Sequence, residues 1–284
     1  HTPAKPQEKY YVGVKMSHHR KAVLVFSIFL ITALSGCRTI KAENIIHLMQ
    51  KEYENFTLYY QDIIPEKQVK DYDTISTNMH LYLKEKLKLK AVKPSFGVVV
   101  LPLENDVVDF QKRSTNACTD YKNIYLIDVY NLSKELYDQY GEPPEGIAND
   151  SFAHELAHLL THNVINYSKK NVIRPEEMLS VCFSYIDFTS TNFQLVENFS
   201  EVIQNNFTDN HMAQLKKKGL AAFRNAKDDR SMSIFLAFLH SRERYDDIIV
   251  FLEADGVEGF MKKVNWGEDD DQMFIDWVNE HRGS

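Results

Sequence analysis

The sequence predicts an α+β fold: a small mixed sheet packed on one motif-bearing helix, followed by a mainly helical C-terminal subdomain. Three observations carry this. The runs that read as strands, 55–61, 96–101 and 123–130, all fall before residue 131. The pentad His154-Glu155-Leu156-Ala157-His158 then sits inside an apolar run from Phe152 to Leu160. After Ile203, apolar residues recur at helical spacing to the end of the chain.

Taken in order, residues 45–54 carry a helical pattern, and residues 55–61, with Phe56-Thr57-Leu58-Tyr59-Tyr60, read as a strand. Beyond Pro65, the spacing of Val69, Tyr72, Ile75, Met79, Tyr82, Leu83 and Leu87 predicts a helix to about residue 90. Residues 96–101 form a second strand, 105–112 a short irregular or helical stretch, and 123–130 a third strand. The Gly- and Pro-containing stretch 141–146 is a loop that delivers the chain to the pentad helix. Short polar or Gly breaks separate five later helices, at 212–225, 231–240, 246–254, 257–263 and 270–281.

Near the N-terminus, His18-His19-Arg20-Lys21 is followed by an apolar run and then Leu34-Ser35-Gly36-Cys37. A basic, an apolar and a small-residue region in that order constitute an export signal, and the run is too short to span a membrane comfortably. Its last four residues resemble a bacterial lipobox. That implies cleavage before Cys37, lipid on its sulfur and a membrane-anchored protein of the cell envelope, with Arg38 favouring outer-membrane sorting where one exists. Residues 1–15 are then an upstream extension and 16–36 a lipoprotein signal peptide. The remainder has room for one large domain or two tightly packed subdomains, an α/β part at 37–165 and a helical part at 166–284.

Of three cysteines, Cys118 and Cys182 remain, to pair or to stay buried as small hydrophobes. A net charge of −7 without a basic cluster argues against nucleic acid as a partner. A monomer is expected.

The pentad carries the chemistry. On a helix, positions i and i+4 share a face, so His154 and His158 can reach one Zn²⁺ ion while Glu155 sits beside the open coordination position. Phe152, Leu156, Leu159 and Leu160 face the core from the other side. A catalytic zinc site needs a third protein ligand. His162 lies well off the ligand face, and no Gly follows His158 to return the chain. A carboxylate from a second helix is the other solution. The run 193–203, capped by Ser190, Thr191 or Asn192, places Glu197 and Glu201 on one face. Glu197 can then bind the metal while Glu201 accepts the free ring N–H of a ligand His.

With these residues the chain resembles the gluzincin metallopeptidases, the thermolysin-like superfamily that includes membrane aminopeptidases and bacterial collagenases. Glu197-Asn198-Phe199-Ser200-Glu201 is similar to their third-ligand pattern at the ligand, the small residue and the second acid. Glu177 competes, because it follows His158 by the 19 residues of the aminopeptidase branch and Pro175-Glu176-Glu177 looks like a helix start. Val181, four residues on, cannot serve as a second acid, so Glu197 is preferred. The resemblance implies a zinc-dependent endopeptidase or aminopeptidase acting on a peptide or protein, with Glu155 as general base. It also implies an oxyanion donor, with Tyr245, His240, His211 and Tyr185 as candidates and Tyr245 taken first, and a sheet edge beside the cleft, taken as residues 123–130. A catalytically inactive surface binding lipoprotein of the same fold is the alternative, and the intact Glu155 argues against it.

Overall fold

The structure is a computed structural model describing residues 48–61, 64–90, 95–102, 117–128, 144–167, 174–223 and 229–283. It is α+β. Five strands, β1 (Met49–Glu52), β2 (Phe56–Tyr60), β3 (Phe96–Leu101), β4 (Ala117–Thr119) and β5 (Asn123–Ile127), form one mixed sheet in the order β1-β2-β3-β5-β4. The three central strands run parallel, and the outer two pair antiparallel to them. Central β3 is buried at every position, as its unbroken apolar run Phe-Gly-Val-Val-Val-Leu requires of a strand covered on both faces.

Helix α1 (Glu66–Glu85) connects β2 to β3 and buries Val69, Tyr72, Ile75, Met79, Tyr82 and Leu83, the residues whose spacing predicts it. Helix α2 (Pro144–Thr161) carries the pentad and packs against α1, β4 and β5. Phe152 anchors it, with its ring 4.5 Å from Tyr72 and 6.4 Å from Phe56. Helix α3 (Pro175–Phe183) lies across α2 and against α6 (Asp229–Ser241). Among the described residues the remaining α-helices are α4 (Phe199–Asn206), α5 (Asp209–Lys218), α7 (Tyr245–Glu253), α8 (Gly256–Val264) and α9 (Glu268–Arg282). Met232 and the run from Ile234 to Leu239 in α6 are fully buried, and Phe235 packs on Phe251, Phe260, Trp266 and Phe274. One hydrophobic cluster runs from Phe56 to Val278, through both sequence halves.

Four expectations change. Residues 144–146, expected in a loop, open helix α2. The described part of 45–54 is strand, not helix: Met49–Glu52 pairs residue for residue with β2. Residues 123–127 form an inner strand, and the edge beside α2 is β4 instead. Residues 193–198 are not helical. Ile186 and Leu195 form a β-bridge, flanked by bonds from Asp187 N–H to the Gln194 carbonyl and from Val196 N–H to the Tyr185 carbonyl, so the chain doubles back and α4 starts only at Phe199. Residues 1–36, Cys37 and the stretch 105–112 lie outside the described residues. Among the described residues no helix is long and apolar enough to cross a membrane.

Candidate metal centre

Between Ser151 and Leu160 only His154, Glu155 and His158 reach solvent; every other side chain in that stretch is buried. The amphipathic arrangement is thus a narrow polar strip on a helix otherwise enclosed by the core. The two imidazoles lie 5.0 Å apart, centroid to centroid, on successive turns.

Helix α3 supplies what faces them. Pro175 occupies its first turn, where a missing N–H costs nothing, and Glu176 and Glu177 follow at its N-terminus, where the helix dipole favours anions. Glu177 is only 5 % exposed. A carboxylate so deeply enclosed requires a partner, and each of its oxygens has one: Oε1 lies 3.5 Å from His154 Nε2, and Oε2 lies 3.3 Å from His158 Nε2. Among the described residues, His154, His158 and Glu177 are the group whose ligand atoms all fall within 4.8 Å of one another.

This donor set fits a metal ion. Ligand atoms about 2.0–2.2 Å from a tetrahedral ion stand roughly 3.3–3.6 Å apart, the spacing of the two His–Glu pairs. Two nitrogens and one oxygen leave one vertex open.

The electrostatics of the cluster are those of a site prepared for positive charge. Burial pushes the Glu155 carboxyl up to about 7. Burial also lowers His154, to about 4. Burial acts the same way on His158, but hydrogen bonds to Glu176 and Glu177 overcome it and carry the ring to about 10. Glu177 goes the other way: burial would raise it, yet His154 and His158 hold it down at about 2.

Beside the cluster, Glu176 Oε1 lies 3.5 Å from His158 Nδ1 and 3.3 Å from His162 Nδ1. Tyr121, in the turn between β4 and β5, stacks on the His162 ring at 3.7 Å and 20°. Burial first, then the Glu176 and Glu155 charges, push that phenol up to about 12.

The other expected site residues lie elsewhere. Glu197 is exposed, in the turn that leaves the bridged loop, and does not meet the imidazoles. Glu201 is exposed in the first turn of α4. A helix through 193–203, which would set this pair on one face, is prevented by the Ile186–Leu195 bridge, and Glu177 and Glu176 are the carboxylates beside the imidazoles. Tyr245 opens α7 and packs on Tyr82, His240 and the Lys86 ammonium.

His240 is a core histidine, with Nδ1 2.9 Å from the Tyr82 hydroxyl and Nε2 2.6 Å from the Phe193 carbonyl oxygen. His211 caps α5 by accepting from Thr208 N–H, and Tyr185 is buried against Phe199. Cys182 is a buried free thiol, so it does not pair with Cys118. The sequence signal for Glu177 was its helix start and 19-residue spacing; Tyr121 and Glu176 carried no motif. No family model matches the chain, and no curated protein matches it.

Proposed function

We propose that this chain is a zinc-dependent metallopeptidase of the gluzincin type, with His154, His158 and Glu177 as metal ligands and Glu155 as general base. The observation that carries the reading is the convergence of two imidazole Nε2 atoms on the two oxygens of one buried carboxylate, beside a Glu on the same helix face. When bound, zinc lowers the pKa of a coordinated water to about 7 and polarises a carbonyl.

The chain's own residues do the rest. His154 and His158 present Nε2 lone pairs from a helix locked in the core, and Glu177 supplies the charge that a divalent cation needs. Glu155, between the two ligands in sequence, takes the water proton at its carboxylate and hands it to the departing amine. Strand β4, an edge among the described strands and packed beside α2, offers main-chain pairing to an extended peptide. Lipid on Cys37 would hold the enzyme at the membrane of the cell envelope, within reach of peptide or protein substrates.

Replacing Glu155 with Gln tests the assignment. The expected outcome is zinc content equal to the parent and peptide hydrolysis lowered about 10²–10⁴-fold, the usual contribution of a general base. Hydrolysis that survives at the parent rate with metal content unchanged would contradict it.

A further inference from the structure

Consecutive residues of α3 straddle consecutive histidines of the pentad helix and its extension. Glu177 bridges His154 and His158, and Glu176 bridges His158 and His162. The His158 ring is therefore held from both ends, Nε2 toward Glu177 at 3.3 Å and Nδ1 toward Glu176 at 3.5 Å. In its neutral form, an imidazole that donates its Nδ1 proton to a carboxylate carries its lone pair on Nε2, which is the tautomer a metal ligand requires.

Glu176 is itself held by a second histidine. The His162 ring meets the same Oε1 at 3.3 Å, and Tyr121 stacks on that ring at 3.7 Å. The stack of Tyr121 on His162 ties this support to the turn between β4 and β5. Its backbone carbonyl accepts from Ser180 Oγ within α3, so main chain and carboxylate are both engaged.

We infer that Glu176 is the positioning residue of the metal centre, orienting His158 through Nδ1 with Tyr121 and His162 as its buttress. The inference rests on the proposed metal centre and assigns to Glu176 the part expected of Glu201. Glu176 does not bind the ion in this arrangement. It sets which nitrogen of His158 faces the ion and how rigidly that nitrogen is held, and so governs metal affinity.

Zinc affinity of the full chain, measured by competition with a chromogenic chelator, separates the roles. Melting of each metal-free variant is recorded alongside. Glu176→Gln is expected to bind zinc about 10–100-fold more weakly than the parent, with metal-free Tm unchanged and an altered absorption spectrum of the cobalt(II)-substituted form. Glu201→Gln is expected to match the parent. Should Glu176→Gln melt early without metal, His162→Phe decides, since it keeps a ring for the Tyr121 stack and removes the nitrogen that meets Glu176 Oε1. A severalfold loss of affinity there supports the inference, and unchanged affinity overturns it. Parent-like affinity in Glu176→Gln, alongside a severe loss in Glu177→Gln, overturns the positioning role alone. Parent-like affinity in Glu177→Gln overturns the metal centre, and the inference with it.

Discussion

The contrast between His158 and His240 shows how two enclosed histidines acquire opposite chemistry. His158 faces two carboxylates, and these carry it to about 10 although burial works against the charge. His240 faces a phenol and a carbonyl, and burial holds it below the ordinary imidazole range. Its neutral ring accepts at Nδ1 from Tyr82 and donates at Nε2 to Phe193. The unfolded chain protonates this histidine near about 6.5, the folded one only at lower pH, so the folded state binds fewer protons in between. Its contribution to stability is therefore complete above about 6.5, declines as pH falls below that, and stops declining beneath the folded value. Urea unfolding of His240→Gln between pH 7 and 5 should show a shallower loss of stability than the parent; parallel slopes would contradict the assignment. Neither histidine's role was legible from its neighbours in sequence, because the groups that decide it come from α1, α3 and the loop before α4.

At the scale of elements, what repeats locally was readable and what depends on distant pairing was not. Helices α1 and α6 to α9 follow their apolar spacing, and β3 coincides with its apolar run, because those patterns encode burial directly. Strand β1 has the sequence Met-Gln-Lys-Glu, four good helix formers exposed throughout, and it is extended because β2 supplies its hydrogen-bond partners. The run before Phe199 misled in the same way. Phe193 adopts φ +51 and Leu195 bridges to Ile186, so helical spacing there is used by a doubled-back loop. Helix α2 combines both kinds of information, since its pentad is local while its enclosure depends on Tyr72 and Phe56. Phe152→Ala removes that anchor and should cost about 3–5 kcal/mol in equilibrium unfolding. A loss under about 1 kcal/mol would show that the helix is held by something else.

Across the whole molecule, one hydrophobic cluster joins the sheet half to the helical half, and the proposed metal centre lies on the line where α2 meets α3. The bond from Ser233 Oγ to the Met178 carbonyl secures α3 to α6, next to the turn that carries Glu177. Glu177 thus reaches the imidazoles because α3 packs between α2 and α6, a placement that spacing along the chain alone does not decide between Glu177 and Glu197. The most direct test is a crystal structure of the zinc-loaded protein with anomalous data at the zinc edge. The account predicts one zinc peak about 2.0–2.2 Å from His154 Nε2, His158 Nε2 and a Glu177 oxygen. A peak bound by Glu197 in place of Glu177, or no peak at the two imidazoles, would contradict it.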